Sequence, residues 1–469
     1  MSQTILWHDY ETWGTNPQLD FPAQFAAIRT DLNLEVIGKP SNFFCQIPND
    51  YLPHPEACLV TGITPQLSLQ KGYIEMQFAQ KIYQEMTVPN TCVAGYNSLK
   101  FDDEVTRHLL YRNFYPVYDR EYAQGNSRWD IIDLVRAAYA LRPEGIEWCY
   151  YDDGKPCFKL DQLSVANNIT HANAHDALSD VYATIGMAKI IKEVQPKLYD
   201  YYWQCRDKHQ VASHINLGSF KSLVYISGFT SANQGCCSII LPIAQHPSNQ
   251  NSVICVDLTK PIDGLLPCNA EQLQDLLYNS QSNNRPGVNL VKINQCPFVA
   301  PMNVLSSTRA EELGIDLSLC ESRRQQLVNN PQVMEFLMSF FANKDYTSED
   351  SNVDAMLYSR GFPSPADKLW MMKVRQADPM ELGALSAQTD SSLNKRQLFK
   401  YQGRNFPSSF DDQMQQQWQH YRVDRLQNGD GCLSLQAYGE RIYELAQQNS
   451  SNERHLAILK QLENYLATI

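Results

Sequence analysis

The sequence predicts an α/β domain with a mixed sheet over residues 1–195, a small β-rich domain over 196–346 and an all-helical domain over 347–469. Three observations lead there. The chain has 469 residues, more than a single hydrophobic core accommodates. Strand-like and helix-like runs alternate up to Val194, and Pro196 stops the last helical pattern. Beyond it strand-like runs follow one another, and from Pro331 onward only helical patterns remain.

In the first segment, residues 5–8, 26–30, 43–47 and 91–94 are short apolar runs that read as strands, while 75–86, 104–113, 129–141 and 176–194 carry apolar residues at helical spacing. Tyr111 and Phe114 share the helical spacing of Leu110 and are expected in the core. In the second, 222–229, 236–244, 252–258 and 288–294 read as strands separated by Gly, Ser, Asn and Pro clusters, with one helix near 271–278. The third holds helices over 332–342, 365–377, 411–425, 435–448 and 452–466. Its Gln-rich run before Trp418 is a polar helix face with the indole turned inward, and no internal repeat is evident.

With 43% apolar and 19% charged residues, the composition is that of a globular protein and excludes a disordered chain. The first apolar run is too short for a signal peptide and already carries His8 and Asp9, and no run is long enough to span a membrane. The 13 cysteines lack metal-ligand spacing, so reduced thiols, a cytoplasmic location and no membrane are expected. A net charge of −12 argues against a polyanionic partner. Its distribution changes the meaning: residues 1–195 hold 15 Lys and Arg against 24 Asp and Glu, whereas the later segments are nearly balanced at −1 and −2. Acids gathered in one domain are what bound cations would offset.

Ile5-Leu6-Trp7-His8-Asp9-Tyr10-Glu11-Thr12 turns from an apolar run into an acid-x-acid pair. On a strand, a period of two sets Asp9 and Glu11 on one face, where two carboxylates repel unless a cation lies between them. Alone, the pair is an ordinary strand end with solvated acids; with further acids it becomes a site for Mg²⁺, or Mn²⁺ in its place. Those acids are Asp102, near the start of a helix after Gly95-Tyr96-Asn97-Ser98-Leu99-Lys100-Phe101, and Asp180, in Ala174-His175-Asp176-Ala177-Leu178-Ser179-Asp180. His175 precedes Asp180 by five residues, about 140° around a continuous helix, so it is expected on the loop or first turn.

Asp-x-Glu, then Asn-x-x-x-Phe-Asp, then His-x-x-x-x-Asp resembles the DEDDh group of 3'-to-5' exonucleases. Pro22-Ala23-Gln24-Phe25, Thr61-Gly62-Ile63-Thr64-Pro65, Arg128-Trp129-Asp130, Asn352-Val353-Asp354-Ala355 and Arg404-Asn405-Phe406-Pro407 extend the likeness over essentially the whole chain, to the exonuclease I family of bacterial exodeoxyribonucleases. That resemblance implies a ribonuclease-H-like nuclease domain, an SH3-like β-rich domain and a helical C-terminal domain. It further implies two cations held by Asp9, Glu11, Asp102 and Asp180, with His175 taking a proton from the attacking water. The product would be 5'-mononucleotides released from the 3' end of single-stranded DNA, in repair and recombination.

For the substrate, the resemblance implicates Thr61, Gly62 and Ile63, the last against a terminal base, with Glu11 also within reach. Lys159 matches a position where the family carries a basic contact, and a Lys there keeps the charge without an Arg's bidentate fork. Between Arg107 and Arg142, arginines alternate with aromatics, the mixture that holds single strands by phosphate and base. Arg107, Arg136, Tyr118 and Tyr122 are the candidates there, the two tyrosines lying in an irregular stretch after Pro116. The acidic tail of single-stranded-DNA-binding protein is an expected partner, requiring an apolar pocket rimmed by Lys or Arg that the sequence does not locate, and the chain is expected as a monomer. An exoribonuclease would share every catalytic residue but prefer 2'-hydroxyls. A non-catalytic strand-binding protein would show no metal-stimulated nucleotide release.

Overall fold

The computed structural model describes residues 2–169, 176–265, 270–278, 286–342 and 352–469. The chain divides into two compact units: residues 1–127, 172–182 and 347–469 form the first, and 128–171 with 183–346 the second.

The first unit is built on strands β1 (Thr4–Thr12), β2 (Pro22–Thr30), β3 (Ser41–Phe44) and β4 (Thr91–Gly95), joined in the order β3-β2-β1-β4. β1 runs antiparallel to β2 and parallel to β4, the mixed sheet that the alternation of runs predicts. Ile5, Leu6 and Trp7 are all buried, because β1 lies between two neighbours with both faces covered. Its Leu6 and Tyr10 face packs under helices α3 (Glu75–Met86) and α4 (Asp102–Arg112), through Phe78, Ile82 and Leu109. Two short helices, α1 (Pro55–Thr61) and α2 (Pro65–Lys71), precede them.

The C-terminal helices complete this unit's core. Trp13, Phe21 and Tyr51 cluster with Tyr438 and Leu445 from Leu435–Gln448 and with Leu462 from Glu453–Leu466. Trp418 is buried as expected, and a Cβ added at Gly403 would meet its ring at 2.4 Å, so this crossing requires glycine. Arg404 clamps two buried acids, donating to Asp50 at 2.8 Å and to Asp354 at 2.7 Å. Arg425 donates to Asp50, and Lys400 reaches Asp354 at 3.2 Å. The motifs around Asp354 and Arg404 thus tie the helical segment to the turn that follows β3. Helix Ser392–Asn405 escapes sequence reading because Asn394, Gln397, Lys400 and Gln402 are buried polar residues that erase its apolar period.

The second unit carries a five-stranded antiparallel sheet in the order Gly287–Lys292, Ser252–Asp257, Cys237–Gln245, Leu223–Ile226, Phe298–Pro301. Four of these strands were expected. The fifth, Phe298–Pro301, has only three apolar residues before its proline, too few to register. The helix expected from Trp129 starts at Ile132 instead, since Ser127–Asp130 is a strand and the Asp130 carboxylate accepts from the Ile132 N–H at 3.0 Å. Among the described residues, no helix is long and apolar enough to cross a membrane.

Candidate active site

The C-terminal half of β1 delivers Asp9 and Glu11 to the same side, with Asp9 opposite Ala26 and Glu11 opposite Gln24 on β2. A register shift between Glu11 and Thr12 ends the regular pairing there. Beyond β4 the chain turns sharply: a Cβ at Gly95 would meet the Ser98 side chain at 2.7 Å and the His8 carbonyl at 3.1 Å. This turn starts α4 on Asp102, whose Oδ1 accepts from the Tyr10 N–H at 3.2 Å. The Tyr10 hydroxyl in turn accepts from Thr106 Oγ1 at 3.0 Å, so α4 is fastened to the strand that carries the other two acids.

The fourth acid comes from α5 (Ala177–Val194), on its first turn. One carboxylate oxygen each from Asp9, Glu11 and Asp180 lies within 4.8 Å of the others. Asp102 completes the group electrostatically. Burial first, then the charges of Asp102, Glu11 and Asp180, push the Asp9 carboxyl well above its ordinary range. Glu11, 9% exposed, rises to about 9 through burial, then Asp180, Asp102 and Asp176. Oxygen donors alone, crowded and buried until charge is costly, fit a hard divalent cation and leave no role for a soft metal's thiolates.

Sequence reasoning missed Asp176. Its carboxylate faces Glu11 electrostatically, accepts from Gln24 Nε2 at 3.2 Å and caps the start of α5 by accepting from the Ser179 N–H at 3.3 Å and hydroxyl at 3.1 Å. The signal was available in its position immediately after His175, within the same motif. His175 lies outside the described residues.

The substrate candidates divide. Tyr122 is exposed, and Tyr118 is half-buried under the Arg107 guanidinium, 5.4 Å from its ring centre. Arg107 is a correction: at 7% exposed, it holds Glu121 at 2.8 Å and Glu104 at 2.5 Å, so its charge is committed inside the protein rather than offered to a phosphate. Ile63 is another. Its side chain is 4% exposed and packed in the core with Trp13 and Leu459, not presented to a base. Thr61 ends α1, Gly62 is its left-handed cap with φ 73°, and the Thr61 hydroxyl accepts from the Ile63 N–H at 3.1 Å. In the second unit, Lys159 is exposed before the helix Leu160–Ala166, and Arg136 pairs with Asp133 at 2.7 Å.

A mixed sheet that gathers acids from β1, α4 and α5 into one group able to hold a divalent cation suits a metal-dependent hydrolase. Residues 6–188 match the family model described as Exonuclease, 206–343 the Exonuclease I SH3-like domain and 351–469 the Exonuclease I C-terminal domain. The chain belongs to the exonuclease I family.

Among curated relatives, exodeoxyribonuclease I of Escherichia coli K12 is 45% identical over 99% of this chain and 98% of its own, and that of Haemophilus influenzae 42% over 98% and 97%. The crystal structure of the E. coli enzyme with a dA16 oligonucleotide superposes with a TM-score of 0.96 at 44% identity, covering 100% of both chains. A structure described as SSB/exonuclease I with an inhibitor gives 0.93 at 44% identity, covering 100% of both. A zinc-bound complex of the E. coli enzyme with single-stranded DNA gives 0.95 at 44%, covering 100% of this chain and 99% of that one.

Proposed function

We propose that the protein is a 3'-to-5' exodeoxyribonuclease that removes 5'-mononucleotides from single-stranded DNA, with Mg²⁺ as its working metal and Mn²⁺ able to replace it. The observation that carries this reading is the meeting of the Asp9, Glu11 and Asp180 carboxylates within 4.8 Å, with Asp102 beside them. Divalent cations bound there would supply charge neutralisation for attack on the phosphodiester. Asp9, Glu11, Asp102 and Asp180 hold them, and Asp176 with Gln24 orients the helix that presents Asp180. His175 takes the proton of the attacking water, a task suited to an imidazole near neutral pH.

Single-stranded-DNA-binding protein is the proposed partner, through its acidic C-terminal tail. A pocket of about 430 Å³ in the second unit meets the chemical requirement, with apolar walls from Leu141, Leu198, Tyr201 and Phe298 and cations from Arg142 and Lys197. A monomer in the cytoplasm, acting in repair and recombination, accords with this role. The test compares end-labelled single-stranded DNA, duplex DNA and RNA, each with Mg²⁺, with Mn²⁺ and with chelator. Rapid mononucleotide release from single-stranded DNA alone, abolished by chelator, is expected; faster release from RNA would reassign the substrate.

A further inference from the structure

Two adjacent acids, Asp102 and Asp103, open α4. Successive residues of a helix point about 100° apart, so the two cannot both face the carboxylates of β1. Asp102 acts on Asp9 and Glu11. Asp103 is spent elsewhere: it is 2% exposed, and its Oδ1 accepts from Arg120 Nη2 at 2.9 Å. Arg120, from the helical turn Asp119–Tyr122, is fully buried. Glu121 lies 3.7 Å from it, but the two oxygens of Glu121 already accept from Arg107 at 2.8 and 3.0 Å. Among the described residues, the buried Nε and Nη1 of Arg120 have no hydrogen-bond partner.

Such a guanidinium is a poor packing residue. Burying two unbonded N–H groups costs free energy that an apolar side chain of similar volume would avoid, and a buried ion pair is often no more stabilising than its apolar replacement. What the pair supplies is direction. The Asp103 N–H donates to the Ser98 carbonyl at 2.9 Å, so this residue is held by main chain and side chain at once. Arg120 acts from behind the strand that carries the other acids. Its charge is felt by His8 and Tyr10, which alternate with Asp9 and Glu11 along β1 and therefore project from the opposite face. Burial lowers His8 to about 4, with Asp103 opposing the fall and Arg120 adding to it, so His8 is neutral near pH 7 and does not compete with Arg120 for Asp103.

We infer that Arg120 is a positioning residue for the metal site: by holding Asp103 on the far side of α4, it sets the first turn of that helix so that Asp102 faces Asp9, Glu11 and Asp180. The inference rests on the exonuclease reading and adds a residue outside it. In this role Arg120 touches neither strand nor cation and acts through the helix it orients. A partner that aims a ligand without binding the metal contributes about 10- to 100-fold in metal affinity or activity. Arg112 offers a matched control. It pairs with Glu75 at 2.8 Å, comparably buried and on the same helix, but ten residues, or about 15 Å, beyond Asp102.

The test titrates full-length, DNA-free protein with Mn²⁺, read by electron paramagnetic resonance, beside denaturant unfolding and steady-state hydrolysis. Arg120→Met is expected to weaken Mn²⁺ binding about 10- to 100-fold and to lower kcat by a similar factor, with KM for the strand unchanged. Arg120→Lys, which keeps the charge and a donor, should recover most of the affinity. Arg112→Met should also unfold at lower denaturant, yet bind Mn²⁺ as the wild type does. Should Arg120→Met fail to fold, combining it with Asp103→Leu replaces the buried pair by apolar side chains, which should restore stability without restoring Mn²⁺ affinity. Wild-type affinity in Arg120→Met or in the double variant would overturn the inference, as would equal weakening in Arg112→Met. Tighter Mn²⁺ binding would overturn it too, by making Arg120 a competing charge. Absence of metal-dependent hydrolysis by the wild-type protein would instead sink the exonuclease reading, and the Mn²⁺ titration would still report on Arg120.

Discussion

Two groups of buried carboxylates in the first unit have opposite surroundings. Around Asp9 and Glu11 the charges that move their titration are other carboxylates, so burial and repulsion act together and push both upward. Around Asp50 and Asp354 burial also pushes upward, but Arg404, Arg425 and Lys400 outweigh it and hold both acids well below their ordinary range. The second group is complete without any ligand and serves to fasten the C-terminal helices to the turn that follows β3. The first is incomplete in charge and becomes favourable only with a cation supplied from outside. Buried acids mark a functional site when their compensation is missing, not because they are buried.

Breaking the first group should produce the largest effect. Asp9→Ala, Asp102→Ala or Asp180→Ala is expected to reduce mononucleotide release by about 10³-fold or more while leaving the fold intact. Normal turnover in any of them would remove that acid from the metal group. His175→Ala should keep metal and DNA binding but lose about 10²- to 10⁴-fold in rate, together with the acid limb of the pH–rate profile. An unaltered limb would exclude it as the base.

Breaking the second group should act on stability instead. Asp50→Asn leaves Arg404 and Arg425 facing a neutral amide and should cost about 3–5 kcal/mol in denaturant unfolding. A loss below about 1 kcal/mol would show that the network contributes little. The same network makes deletion of the C-terminal helices a poor probe of strand retention, since they supply Tyr438, Leu445 and Leu462 to the core of the first unit.

The smallest effect sharpens the contrast by sign. Glu11 takes up its proton more readily when folded, so the stability it contributes to the metal-free protein is present below its usual range and is lost as pH rises toward about 9. Asp50 and Asp354 behave oppositely: their contribution is present above the usual carboxylate range and is lost as pH falls through it. Glu11→Gln should raise metal-free stability at pH 8 by on the order of 1–3 kcal/mol, and saturating divalent metal should erase the difference. Equal stability of the two metal-free proteins at pH 8 would contradict the raised titration of Glu11.

Much of this molecule is legible before any coordinates. Local periodicity determines β1, α3, the order of α/β, β-rich and helical segments, and the inward Trp418, because each depends on residues a few positions apart. Short-range motifs likewise determine Asp9, Glu11, Asp102 and Asp180 as a candidate set, since the residue types needed for a hard cation occur at recognisable spacings. Only the tertiary structure decided which charges are spent. Arg107 and Ile63 read as substrate contacts in one dimension, yet Glu104 and Glu121 claim the first, and a core built from helices about 400 residues away claims the second. Phe362 shows the converse, a side chain of a type usually buried that is left on the surface beside Tyr118, some 240 residues away in sequence. Compensation of charge and exposure of an aromatic are sums over neighbours in space, and a linear sequence does not list those neighbours.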